Sequence, residues 1–315
     1  MKKPIVVLTG PTAVGKTELS IQLAKAIGGE IISADSMQVY KYMDVGSAKI
    51  TPEEMDGVRH YLVDELEPFD EFHVVKFQEY AQKYLNEIYA HEKIPIIAGG
   101  TGFYIQALLN DIDFTEQESD SAYRKELEAL AEEHGNQYLH DRLKEVDPES
   151  AEAIHPNNRK RVIRALEFYQ ETGRKISEHN AKEQMRTSPY NFAYFVLNDE
   201  RSHLYKKIDA RVDKMIEDGL EAEVRRLKEM GCTKDMVAMQ GIGYKEMLSY
   251  LDGGYSLEEA VYIIKRETRH FAKRQITWFK RERDVIWLNK NEFDYKNEAI
   301  LAYMIKKLKE KAIIS

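Results

Sequence analysis

The stretch Ile5-Val6-Val7-Leu8-Thr9-Gly10-Pro11-Thr12-Ala13-Val14-Gly15-Lys16-Thr17 decides how this chain is read. A short apolar run leads into the pattern G-x-x-x-x-G-K-[ST], and Leu19, Leu23, Ala26 and Ile27 follow at helical spacing. That is the strand, loop and helix context a phosphate-binding loop requires. The two glycines let successive N–H groups and the helix N-terminus face an anionic oxygen. Lys16 is placed to neutralise a terminal phosphate, and the Thr17 hydroxyl to bind a magnesium ion. Gly10, Pro11, Thr12, Ala13, Val14, Gly15, Lys16 and Thr17 are thus the expected phosphate- or diphosphate-binding residues. The loop alone does not say which phosphate chemistry follows.

Working outward, Ile31–Ser33 and Ile94–Ala98 read as further strands, with helical patterns over Thr17–Ile27 and Val74–Tyr89 between them. Such alternation predicts an α/β fold, a P-loop NTPase-like parallel sheet flanked by helices. Ligands in that architecture bind at the carboxyl ends of the strands. Three loops answer this description: Gly10–Thr17, Ala34–Tyr40 and Gly99–Tyr104. From about Asp113 the texture becomes helical and strongly charged until the apolar run Phe192–Leu197. We read residues 114–190 as an inserted helical domain, and residues 1–113 with 191–315 as the catalytic core. Helices are expected over Ser202–Met230, Gly243–Leu251 and Leu257–Arg281, then a last strand Val285–Leu288 and a terminal helix.

Composition excludes several classes. With 43% hydrophobic and 32% charged residues, a chain of this length has material for a real core. Its apolar runs are too short to span a bilayer, and the first strand begins at once, so no signal peptide and a cytoplasmic location are expected. One cysteine, Cys232, excludes an internal disulfide and a Cys-rich zinc site. The net charge of -8 argues at first sight against nucleic acid. However, residues 116–152 hold twelve acidic and four basic side chains, which accounts for the whole imbalance. Basic clusters stand elsewhere, at Arg159–Arg164, at Arg174 and Lys175, and from Lys265 to Arg283. A polyanion can still be met on one face, although solvated helix faces explain such runs equally well.

Asp35 follows the Ile31–Ser33 strand, at the carboxyl edge beside the phosphate loop. A carboxylate there can act as a general base, share the magnesium, or cap the next turn. Thr101 follows Gly99-Gly100 at the end of the Ile94–Ala98 strand, where a hydroxyl would project into the same cleft.

Taken together, GPTAVGKT, SADSMQVYKYMDVGSAK, IIAGGTGFY, HPNNRKRVIRALE, ARVDKMIEDGLEAEVRRL, QGIGYKE and TRHFAKRQITWF, in this order along nearly the whole chain, closely resemble the bacterial tRNA dimethylallyltransferase family. The resemblance implies transfer of a dimethylallyl group from dimethylallyl diphosphate to the exocyclic N6 of the tRNA adenosine just 3′ of the anticodon, with release of diphosphate. It implies Asp35 as general base, Thr101 at the reacting adenine and donor, and Arg211 as a further cation on the diphosphate. It assigns Asp35, Ser36, Met37, Gln38 and Thr101 to the target base, and Arg124, Arg159, Lys160, Arg161, Val162 and Ile163 to the grip on the anticodon stem-loop. Magnesium, bound through Thr17, is the expected cofactor, and the enzyme is expected to work as a monomer. To these we add the Lys265–Arg283 helix as a face tracking RNA phosphates; Gln240–Lys245 would also touch the RNA, unless Gly241 and Gly243 are simple helix-entry turns. Eukaryotic relatives carry a zinc finger, which one cysteine cannot build.

Three alternatives share the phosphate loop: a prenyltransferase acting on free adenine nucleotides, a P-loop metabolite kinase, and a non-enzymatic P-loop switch. The Arg159 cluster favours RNA over a free nucleotide. The strand ending in Gly99-Gly100, where a Walker-B acid would stand, weakens both NTP readings.

Overall fold

A computed structural model describes residues 2–112, 122–184 and 186–314. They form two compact units, Met1–Leu109 with Pro189–Ser315, and Asn110–Ser188. The expected junction at 113 and 114 lies outside the described residues. In chain order the first unit opens with β1 (Lys3–Thr9), α1 (Lys16–Ile27), β2 (Gly29–Ser33), α2 (Pro52–Met55), β3 (His60–Tyr61), α3 (Val74–Ala90), β4 (Ile94–Gly99) and α4 (Gly102–Asn110). The second unit contributes α5 (Ala122–His134), α6 (Asn136–Val146), α7 (Pro148–Ala153), α8 (Arg159–Thr172) and α9 (Ile176–Gln184). The first unit resumes with β5 (Tyr190–Asn198), α10 (Arg201–Glu217), α11 (Leu220–Glu229), α12 (Tyr244–Leu251), α13 (Leu257–Phe279), β6 (Val285–Asn289) and α14 (Asn297–Glu310).

Among the described residues the sheet has six strands in the order β3-β2-β4-β1-β5-β6. All its pairings are parallel, as the alternation of strands and helices requires. The central strands β1, β4 and β5 are buried on both faces. Ile5 and Val7 face one core with α3, α4, α11 and α12, while Val6 and Leu8 face the other with α1 and α14. That is why β1 reads as an unbroken apolar run rather than an alternating one. The register pairs Thr9 with Gly99 and with Val196, and Ser33 with Ala98. The loops leaving β1, β2 and β4 therefore start at one level of the sheet.

Two differences from the sequence reading have local causes. The single helix expected over Ser202–Met230 is two, because Gly219 takes a left-handed φ of 98° and starts α11 as its N-cap; a side chain there would be strained. The edge strand β3 is only two residues long, too short to carry a period-2 pattern.

The helical unit has its own core, built from Leu127, Leu139, Leu143, Val162, Ile163 and Leu166. Asp147, buried, caps α7 and accepts hydrogen bonds from the Ser177 N–H at 3.0 Å and its hydroxyl at 2.7 Å.

A candidate active site at the strand ends

The three loops singled out by sequence are tied together at the carboxyl edge. The Thr9 hydroxyl donates to the Gly99 carbonyl at 2.7 Å, the Ala34 N–H to Ala98 at 2.8 Å, and the Thr101 N–H to Ala34 at 3.1 Å. Between them lies a cleft of about 520 Å³, lined among others by Thr12, Lys16, Thr17, Asp35, Gln38 and Arg211. That volume suits a small organic phosphate or a single nucleobase.

The phosphate loop is built as the motif demands. Gly10 has φ of 149°, and a Cβ there would run into the Leu197 carbonyl of β5. Ala13 and Gly15 also take positive φ, while Pro11 and Val14 are buried beneath the turn. Lys16 Nζ donates to the carbonyls of Gly10 at 2.9 Å and Pro11 at 2.8 Å. Desolvation, with Arg211 adding like-charge repulsion and Asp35 partly opposing it, pulls the Lys16 ammonium down to about 7. Arg211, on α10, reaches the Thr12 hydroxyl at 3.3 Å, and its own pKa is lowered by burial against the pull of Asp35. Two basic groups that line one cleft, each lowered by burial, favour an anion placed at both.

Asp35 Oδ1 accepts the Met37 N–H at 2.8 Å and the Gln38 N–H at 3.4 Å. The carboxylate therefore caps its own loop and lines the cleft at once. Ser36, Met37 and Gln38 are half-buried beside it, and the Gln38 amide donates to the Ala48 carbonyl at 3.1 Å. Thr101 stands just before α4, its carbonyl accepting the Tyr104 N–H at 3.0 Å, one residue beyond the cleft-lining Gly99 and Gly100.

Two residues missed by the sequence reading brace the loop. Gln275 of α13 accepts the Thr12 N–H at 2.9 Å and donates to the Gly100 carbonyl at 2.9 Å, so one buried amide links the phosphate loop to the loop after β4. A polar residue on the buried stripe Ile264, Ala272, Gln275, Phe279 was the available signal. Lys290, just after β6 and 8% exposed, directs its ammonium at the Val14 carbonyl. Its place at a strand's carboxyl end was the hint.

The helical unit presents the other sequence-predicted residues unequally. Lys160 and Arg161 are exposed and Arg159 half-buried, with Arg159 on the Glu128 carbonyl at 3.1 Å. Val162 and Ile163 belong to the unit's core, so their side chains pack against helices rather than facing outward. Arg124 forms a two-pronged ion pair with the buried Glu167, at 3.0 and 2.6 Å. On α13, Lys265 and Arg269 are paired with Asp213 and Asp209 of α10 and Arg266 with its neighbour Glu267, while Lys273 and Arg274, and Lys280 and Arg281 just past the helix, are exposed. The first part of that basic run is therefore neutralised by carboxylates. No helix of the described residues is long and apolar enough to cross a membrane.

Comparison with known proteins places this architecture. The sequence pattern of the IPP transferase family matches residues 38–282. A tRNA dimethylallyltransferase of Lachnoclostridium phytofermentans is 63% identical over 99% of both chains. Among solved structures, the full-length tRNA isopentenylpyrophosphate transferase of Bacillus halodurans superposes with a TM-score of 0.74 at 45% identity, over 99% of this chain and 98% of its own. A eukaryotic dimethylallyltransferase acting on tRNA superposes with a TM-score of 0.79 at 32% identity, covering 91% of this chain and 74% of its own.

Proposed function

The chain belongs to the IPP transferase family, and on that premise we propose that it transfers the dimethylallyl group of dimethylallyl diphosphate to N6 of the adenosine 3′-adjacent to the anticodon of tRNA. The observation that carries this reading is the meeting of Lys16, Arg211 and Asp35 in one cleft. A diphosphate leaving group needs the first two and an amine nucleophile needs the third. As the allylic C–O bond breaks, negative charge grows on the departing diphosphate, where the phosphate-loop N–H groups, Lys16 and Arg211 stabilise it. As the C–N bond forms, N6 sheds a proton, and the Asp35 carboxylate accepts it. An exocyclic amine is a weak nucleophile, so much of the rate comes from holding it against the allylic carbon.

The target base must leave its stack to enter such a cleft, and an anticodon loop already presents unpaired bases. Asp35 to Gln38 line its way in, and Thr101 contacts the adenine and the donor. Lys160 and Arg161, the exposed part of the basic segment in the helical unit, supply the grip on RNA phosphates.

Thr17 and Asp35 offer hard oxygen donors in the cleft, a donor set that suits magnesium. Among the described residues no group of three His, Cys, Asp or Glu forms a metal cage, and magnesium, which keeps its waters and takes oxygens from a phosphate, does not require one. Bound through Thr17, it would supply positive charge to the leaving diphosphate.

The test is incubation of the protein with magnesium, radiolabelled dimethylallyl diphosphate, and either unmodified tRNA bearing that adenosine or free AMP. Label in tRNA is expected. Label in AMP alone would move the protein to the free-nucleotide branch, and ATP turnover without label would make the phosphate loop an NTP site.

A further inference from the structure

Two sequence segments, the Gly219–Leu227 stretch opening α11 and the Gln240–Glu246 stretch opening α12, play no part in the chemistry above. They meet at one buried carboxylate. Glu223, 7% exposed, accepts the backbone N–H groups of Asp44 and Val45 at 2.8 Å each and of Gly46 at 3.0 Å. It also accepts the Tyr244 hydroxyl at 2.8 Å. Successive N–H groups converge on one anion only where the chain is curved into a cradle.

That chain is the far half of the loop that begins at Asp35. Ser47 and Gln38 line the cleft, and Gln38 is held through its bond to the Ala48 carbonyl. The Tyr244 ring lies so close over Gly46 that a Cβ there would come within 2.6 Å of it. Gly241 is just as close to Met37, whose sulfur would lie 2.8 Å from an added Cβ. The acceptor-side residues thus rest on α11 and on the turn before α12, whereas the phosphate loop is braced by Gln275, Lys290 and Arg211.

Resting on the acceptor reading given above, we propose that Glu223 is a positioning residue for the RNA acceptor: by chelating the Asp44–Gly46 amides it fixes the loop through which Gln38 and Ser47 face the target base. A buried carboxylate is a costly way to stabilise a fold. What it provides here, and an apolar side chain cannot, is a fixed origin for three backbone donors.

The experiment compares wild type, Glu223→Gln, Tyr244→Phe and Gly46→Ala. It measures initial rates with tRNA, calorimetric affinity for inorganic pyrophosphate, and hydrogen exchange at the Asp44–Gly46 amides. Glu223→Gln should lower kcat/KM for tRNA about a hundredfold, the scale of a misplaced reacting group. Tyr244→Phe and Gly46→Ala should lower it by smaller factors. Exchange at Asp44–Gly46 should quicken, while pyrophosphate affinity stays within about twofold. Wild-type kcat/KM for tRNA in Glu223→Gln, or an equal loss of pyrophosphate affinity, would overturn the proposal. Should Glu223→Gln fail to fold, Tyr244→Phe, which leaves the carboxylate in place, decides by the same comparison. A wild-type protein that puts no label on tRNA refutes the acceptor reading instead. In that case quickened exchange with unchanged pyrophosphate affinity still supports the loop-fixing role, and unchanged exchange refutes it.

Discussion

Lys16 offers a prediction with an unusual sign. In the free protein its ammonium is pulled down to about 7 by desolvation and by Arg211, so at pH 8 only about a tenth of the molecules carry that charge. A diphosphate between Lys16 and Arg211 restores the charged form, and binding must then take up a proton. The uptake due to Lys16 is about 0.9 proton at pH 8, about 0.5 at pH 7 and about 0.1 at pH 6. The same linkage means that the free protein gains stability from this group as pH rises from about 7 toward the ordinary lysine value of 10.5, because over that window the unfolded chain binds the proton more readily. The assay is calorimetry with dimethylallyl diphosphate in buffers of differing ionisation heat. Lys16→Arg serves as reference, since arginine does not deprotonate and the ligand's own titration cancels in the difference. Above pH 7 the logarithm of the wild-type affinity should fall about one unit per pH unit faster than that of the variant. Equal proton uptake by the two proteins at pH 8 would refute the argument.

Three further outcomes are expected. Asp35→Asn should keep pyrophosphate and RNA affinity but lose about 10²- to 10⁴-fold in kcat; full turnover in single-turnover labelling would remove Asp35 as the base. Gln275→Leu frees the Thr12 N–H and the Gly100 carbonyl together, and it should lower kcat about ten- to hundredfold with pyrophosphate affinity changed by less than about threefold; a parallel loss of both, measured by kinetics and calorimetry, would make the bridge a donor-binding feature only. Arg161→Ala should weaken tRNA binding and reduce the slope of log affinity against log salt by about one, with pyrophosphate binding unaltered; an unchanged slope in filter-binding titrations would take Arg161 off the RNA.

The fold was legible where local rules suffice. The phosphate loop, the buried strands and the caps depend on residues a few positions apart, and β1, α1, β4 and β5 lie where periodicity puts them. Legibility stopped where a residue's role depends on distant chain. Nothing near Glu223 in sequence tells that its carboxylate will meet amides at Asp44–Gly46, and Arg211, one charge among several on α10, is given a role in the sequence by the resemblance alone. Lys160 and Arg161 carry their exposure in their charge, but their neighbours Val162 and Ile163 show why a contiguous segment should not be read as a single surface. On α8 successive residues point about 100° apart, so a basic edge and a core stripe share one run of letters.

The donors around the phosphate loop also bear on how the reaction is timed. Lys16 rests on carbonyls of its own loop, so in the proposed reaction an arriving diphosphate draws it away. The Thr12 N–H is committed to Gln275 and cannot turn to the ligand without releasing the loop after β4. The cradle's backbone is thus tied to Gln275, and Lys16 is the side chain that must change partners. For the proposed transfer, in which charge separates at the leaving group, that division is favourable. On the proposed reading fixed dipoles would meet the growing charge without reorganising, while the Lys16 ammonium would exchange its loop carbonyls for phosphate oxygens. Because Gln275 also holds the carbonyl of Gly100, any shift of the phosphate loop is passed by one buried amide to the loop after β4, where the proposed acceptor contact of Thr101 stands.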